Sequence, residues 1–292
     1  MKLKLTLILL GLVSSQAFSQ TFEGSSNAVK VTVEKNKTVT NEPGRLTLAD
    51  LGITKIPKYH ALIIGVSKYQ NEGAGLASLE MPTRDAERLA QVLNEKYAFE
   101  KENIILLKKD PTREEIINGF DSLTNRSGER DNVLIFYADH GIYDKEKDFG
   151  YWLPSDAKKT TRAAWIANST IKDYVGAIKA KHTLLITDAC FGGSIFKTRS
   201  VEAIIRRFFD LYKDNSREAL TSGNLSEVPD QSIFLKYLIK TLDENTDVFL
   251  ASSTLFSRIY EPVVNNAPTS PQFGIIQGTG DEGGDFIFIK RD

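Results

Sequence analysis

The chain has 292 residues, 41% hydrophobic and 26% charged, a globular composition long enough for one large domain or two small ones. Its formal net charge of -1 gives no overall field to draw in nucleic acid or an acidic membrane surface. The single cysteine excludes an internal disulfide.

Taken in chain order, Lys2 and Lys4 precede an apolar run from Leu5 to Val13, and small residues stand at Ala17 and Ser19. This pattern predicts a secretory signal peptide over 1–19, cut after Ser19. The run is short of the ~20 residues a spanning helix needs, and no later segment reaches that length. The expected mature protein is periplasmic or secreted, with no membrane segment after signal removal. Residues 20–57, rich in Thr, Ser, Asn and Lys at their start, read as an N-terminal extension or pro-segment, and 58–292 as the main domain.

From Tyr59 the pattern changes. Ala61–Val66 is a continuous apolar run, the mark of a strand buried on both faces. Thr83 or Asp85 is placed to cap a helix through about Lys96, with Ala86, Leu89, Ala90 and Leu93 on one face. Asn103–Leu107 reads as a strand, and Pro111-Thr112 opens a helix carrying Ile116, Ile117, Phe120 and Leu123. Val133–Tyr137 and Thr183–Thr187 are further strands, with a helix from Ser169 to about Lys179 between them. The charged stretch Gly192–Pro229 reads as an insertion without a strand, with a helix near Val201–Tyr212. Ile233–Leu242 follows as helix, then Val248–Ala251 and Phe286–Ile289 as strands. Strands alternating with helices predict an α/β fold, its mostly parallel sheet covered on both faces.

In such a sheet, ligands bind beyond the carboxyl ends of the strands. His60 and His182 stand at the amino-terminal starts of their strands; His140 follows the end of Val133–Tyr137, and Cys190 the end of Thr183–Thr187. Strand direction alone therefore pairs the only cysteine with His140. In an exported protein a lone thiol is a liability unless chemistry uses it, although a buried inert cysteine is an ordinary alternative. A free thiol titrates near about 8.5, and a neighbouring imidazole favours the thiolate and can later protonate a leaving amine. Gly141, Gly192 and Gly193 let backbone N–H groups approach a substrate carbonyl.

These residues carry a resemblance. Tyr137-Ala138-Asp139-His140-Gly141 resembles the His-Gly motif of the caspase and metacaspase family, and Asp188-Ala189-Cys190-Phe191-Gly192-Gly193 its cysteine motif. Gly150-Tyr151-Trp152-Leu153-Pro154, Thr221-Ser222-Gly223 and Gly283-Gly284-Asp285-Phe286 follow in the family's order. The likeness runs from Tyr59 to the C-terminus and is nearest to bacterial caspase-like proteins. It implies a caspase-haemoglobinase fold with a mostly parallel six-stranded sheet and helices on both faces. It also implies a thioester acyl-enzyme, with Cys190 as nucleophile, His140 as base, and the N–H groups of Gly141 and Cys190 holding the oxyanion. By the same resemblance, Asp188 and Asp85 match acidic residues that receive a basic P1 side chain, which points to cleavage after Arg or Lys of a peptide or protein substrate.

One departure stands beside the base. Asp139 occupies a position where the family usually has glycine. An aspartate tolerates left-handed backbone angles better than most residues, and its charge would favour an imidazolium. It is also the main support for an alternative reading, a catalytically degenerate module that binds peptide or scaffolds a partner. Asp144, Glu146 and Asp148 read as solvated carboxylates rather than a calcium site. No metal or other cofactor is expected. Lys197, Arg199 and Arg206-Arg207 are candidate self-processing sites within Gly192–Pro229.

Overall fold

The protein is described from a computed structural model, which defines residues 48, 53–70, 75–144, 146–189, 197–198, 208–223 and 231–291. The expected signal peptide, most of 20–57, and Cys190 with its following glycines lie outside the described residues. Within 20–57, Ile53 is buried in the core and Leu48 packs against it.

The first strand, β1 (Tyr59–Gly65), is buried along its whole length. It pairs in parallel with β2 (Ile104–Leu107) on one side and with β3 (Asn132–Ala138) on the other. Next come β7 (His182–Asp188) and β9 (Ser216–Thr221), also parallel. The sheet ends with antiparallel β11 (Gln272–Ile275) and the two-residue β8 (Lys197–Thr198), giving the order β2-β1-β3-β7-β9-β11-β8. The expected six-stranded, mostly parallel sheet is therefore present, with β8 added at one edge. Lys197, a candidate self-processing site, belongs to β8, while Arg199 and Arg206-Arg207 lie outside the described residues.

Neighbouring residues of the strands face opposite cores. Ile63, Phe136, Ile186 and Leu220 pack with α1 (Pro82–Lys96), α5 (Ile233–Glu244) and α6 (Ser252–Asn266). Leu62, Ile135, Tyr137 and Leu185 pack with α2 (Arg113–Arg126) and α3 (Asn168–Ala177). Both faces being apolar, the strands read as continuous hydrophobic runs. A small antiparallel sheet of β4 (Gly141–Asp144), β5 (Phe149–Trp152) and β6 (Ile166–Ala167) follows β3. The pair β10 (Phe249–Ala251) and β12 (Ile287–Ile289) closes the fold. No helix among the described residues is long and apolar enough to cross a membrane.

Several local expectations are corrected. Helix α1 begins at Pro82 with Met81 at its cap, so neither Thr83 nor Asp85 caps it. Proline suits the first helical position because its missing N–H would have no intrahelical partner there. Helix α3 begins at Asn168, directly after β6, with no side-chain cap, so Ser169 lies inside it. The Thr112 start of α2 is confirmed by a reciprocal capping box with Glu115. Of the helix expected over Val201–Tyr212, α4 (Phe208–Lys213) is the described part.

The largest correction is β9, a central strand inside the stretch expected to contain none. Its charges disguise it. Arg217 is buried with its guanidinium donating to the carbonyls of Ile178, Ala180, Lys181 and Ser216. Glu218 is buried and accepts from Ser252 Oγ and the Phe286 N–H. With most of their polar atoms bonded in this way, two adjacent charged residues can occupy positions that hydrophobicity alone would deny them.

Candidate active site

The parallel ladder continues past the strand ends. Val66 N–H donates to Ala138 O at 3.2 Å, Asp139 N–H to Asp188 O at 3.3 Å, and Ser222 N–H to Thr187 O at 3.1 Å. The chains leaving β1, β3, β7 and β9 therefore emerge side by side at one edge. Ala138 is in register with Asp188, so His140 and the segment leading to Cys190 leave adjacent strands from level positions. Cys190 itself lies outside the described residues.

His140 is half-buried, and its Nε2 lies 2.9 Å from the carbonyl oxygen of Ala77. A carbonyl only accepts, so Nε2 carries a proton, and in the neutral ring Nδ1 is the nitrogen with the lone pair. Among the described residues Nδ1 has no hydrogen-bond partner. The Tyr69 ring lies alongside the imidazole, with centroids 6.0 Å apart and 27° between planes. Gly141 opens β4 opposite Trp152.

Asp139 does not do what the sequence suggests. The non-glycine residues with positive φ among the described residues are Asp110 and Asp148, so the turn before His140 needs no left-handed residue. The side chain is buried and accepts from the Tyr69 hydroxyl at 2.5 Å. Burial pushes its carboxyl well above the usual range, opposed by hydrogen bonds from Tyr69, the His140 backbone and Tyr137. Nearby, the Tyr137 hydroxyl accepts from Leu153 N–H at 2.9 Å and donates to the His140 carbonyl at 3.1 Å. Its ring stacks on Trp152 with centroids 4.1 Å apart. The Gly150–Pro154 segment thus supports the backbone that carries His140.

Asp188 ends β7 and is buried, on the same face as α1 and α5. Burial pushes its carboxyl up to about 6, against the opposing hydrogen-bonding influence of Ser222 and Ser232. Ser232 also caps α5, accepting from Leu235 N–H. Asp85 is partly exposed in the first turn of α1, and with Ser232 it lines a groove of about 460 Å³ between α1 and α5. The turn is seated tightly, because a Cβ on Gly65 would lie 2.6 Å from Pro82 O and 2.9 Å from Ala86 Cβ. In Thr221-Ser222-Gly223, Gly223 has φ +146 and packs where a Cβ would meet Thr269 Cβ at 2.8 Å. That glycine turns the chain after it has presented Ser222.

The acidic loop beyond His140 is engaged elsewhere. Asp144 pairs with Arg162 at 2.9 Å, which holds its carboxyl below the usual range, and Asp148 accepts from the Tyr143 hydroxyl. No group of three or more His, Cys, Asp or Glu residues able to hold a metal occurs among the described residues.

Tyr69, the Ala77 carbonyl and Ser232 had not been anticipated. Tyr69 follows the carboxyl end of β1, so the strand-end rule that selected His140 could have flagged it. A backbone carbonyl has no signature in sequence.

A doubly covered, mostly parallel sheet, with a histidine and the segment leading to Cys190 leaving one carboxyl edge, fits a caspase-like protein. The family model described as Caspase domain matches residues 58–259, and the chain belongs to that family of cysteine peptidases. The fold is shared with the crystal structure of protein GSU0716 from Geobacter sulfurreducens, at a TM-score of 0.51 and 16% identity. That alignment covers 79% of this chain and 100% of the other. Among curated proteins nothing matches the chain.

Proposed function

We propose that the protein is an exported endopeptidase that cleaves after Arg or Lys, with Cys190 as nucleophile and His140 as base. The observation that carries this reading is the His140 ring, held at Nε2 by Ala77 O with Nδ1 without a partner among the described residues, on a strand in register with the one leading to Cys190. Nδ1 takes the thiol proton, and the thiolate attacks the scissile carbonyl carbon. The oxyanion is received by the N–H groups of Gly141 and Cys190. The imidazolium then protonates the departing amine as the C–N bond breaks, leaving a thioester. Water, deprotonated by the same imidazole, hydrolyses the thioester and restores the thiol. Asp188, together with Asp85 in the groove between α1 and α5, supplies negative charge for a guanidinium or ammonium at P1. The setting of Asp139, buried and turned to Tyr69, supports a structural role for it rather than a degenerate site.

Export follows from the 1–19 pattern, and places the protein in the periplasm or outside the cell. Self-processing within Gly192–Pro229 is compatible with the Arg residues there. A bond at Lys197 would first require β8 to leave β11. The test is a panel of peptide reporters ending in Arg, Lys or Asp, given to the wild type and Cys190→Ala. Arg and Lys reporters should be cleaved by the wild type alone. If the wild type cleaves none of the panel, the peptidase reading fails.

A further inference from the structure

A hydrogen bond at Nε2 fixes one point of the His140 ring but not its rotation about that point. Something else must set the plane in which Nδ1 lies. The loop after β1 is anchored on both sides of Tyr69. Ser67 N–H and Lys68 N–H donate to Asp110 Oδ1 at 2.7 and 2.9 Å, and Gln70 N–H donates to Ser155 O at 2.8 Å. Tyr69 is therefore held in place and is only 6% exposed. Its ring lies against the imidazole, while its hydroxyl reaches the carboxylate of the residue preceding His140. Tyr69, Asp139 and His140 thus form a closed circuit: stacking, hydrogen bond and peptide bond.

We propose that Tyr69 is a positioning residue for His140: its ring sets the plane of the imidazole, and its hydrogen bond to Asp139 ties that ring to the strand end carrying the histidine. The inference rests on the peptidase reading above. The pair acts through hydrogen bonding rather than charge. The charged neighbour acting on the buried Asp139 is another carboxylate, Asp110, and the other titratable groups facing it are Tyr69 and Tyr137. An amide at position 139 can still accept from the Tyr69 hydroxyl, whereas alanine cannot.

The test uses Tyr69→Ala, Tyr69→Phe, Asp139→Asn and Asp139→Ala, each checked for folding by its melting curve. On an Arg reporter, Tyr69→Ala should lower kcat about 10²-fold, the scale of a misplaced catalytic group, with KM nearly unchanged. Tyr69→Phe and Asp139→Ala should each lose about ten-fold, their combination should lose no more than either, and Asp139→Asn should stay within about three-fold of wild type. A second readout does not depend on turnover. In Cys190→Ala protein, the ring ¹⁵N shifts of His140 should report one Nε2–H tautomer with narrow lines, and Tyr69→Ala should broaden them or mix the tautomers. Unchanged His140 signals in folded Tyr69→Ala, or a loss of kcat that only follows the folded fraction, overturns the proposal. An inactive wild type whose His140 signals respond as expected defeats the peptidase reading and leaves the positioning role standing.

Discussion

At the amino-terminal edge of the sheet, His60 Nε2 faces Asp131 Oδ2 at 3.1 Å. There too, His182 has both ring nitrogens engaged, Nδ1 by Ser216 Oγ at 3.0 Å and Nε2 by Tyr212 O at 3.2 Å. At the carboxyl edge, His140 also adjoins an aspartate, yet Asp139 turns to Tyr69 and leaves one imidazole nitrogen unoccupied among the described residues. The two edges hold the same residue types at the ends of neighbouring strands. What separates His182 from His140 is the occupancy of the second ring nitrogen, while His60, which like His140 has one described partner, differs in being buried at the amino edge. Burial acts in the same direction, for it pushes His182 down to about 3 and so keeps it neutral.

Replacing one histidine at each edge should separate the two roles sharply. His140→Ala should reduce turnover of an Arg reporter by about 10³-fold, the scale of a lost general base, with little change in melting temperature. His182→Ala should do the reverse. It leaves Ser216 Oγ and Tyr212 O without their partner and opens a cavity, at a cost of about 2–4 kcal/mol in denaturant unfolding, while the folded fraction keeps its kcat. Equal losses of stability from the two replacements would break the comparison. Asp188 offers a finer cut at the carboxyl edge. Its folded carboxyl lies near about 6, above the unfolded value of about 3.9, so ionised Asp188 opposes folding at neutral pH. Asp188→Asn should therefore melt higher than wild type at pH 7.5, by an amount that vanishes as pH falls through 6 to below the unfolded value, while cleavage after Arg drops about 10²-fold. A variant that gains stability and keeps its Arg activity would remove Asp188 from the substrate pocket.

Much of this was legible in the residues. Apolar runs located β1, β3 and β7 because both faces of those strands are covered, and strand direction chose His140 over His60 and His182 without any side-chain information. Strand β9 was hidden because its buried charges are satisfied by partners far away in sequence, the Arg217 guanidinium by carbonyls at the end of α3 and Glu218 by Ser252 and Phe286. No local window contains that compensation. The misreading of Asp139 has a similar origin. Its position before the histidine suggested a charge acting on the imidazole. Its actual partner, Tyr69, is 70 residues away and is brought near only because β1 and β3 are neighbours.

The smallest expected effect concerns pH at the amino edge. His182 is neutral in the folded state down to about 3, whereas in the unfolded chain it titrates near about 6.5. Between those values the unfolded state binds the extra proton, so stability rises with pH across that window and falls as the solution is acidified. The limiting slope from this one group is about 1.4 kcal/mol per pH unit. His60 adds to it in the same direction, since burial lowers its pKa against the opposing influence of Asp131. The raised carboxyls of Asp188 and Asp139 act in the opposite direction within this window. The contribution of His182 is therefore read as the difference between wild type and His182→Asn in denaturant melts from pH 7.5 to 4.5. His182→Asn, neutral throughout, should start less stable and lack the His182 part of the slope, so the two curves converge toward the acid end. Parallel curves would mean that the ring of His182 accepts a proton without leaving its place, and the amino-edge histidine would then be as free to titrate as a base at the active edge must be.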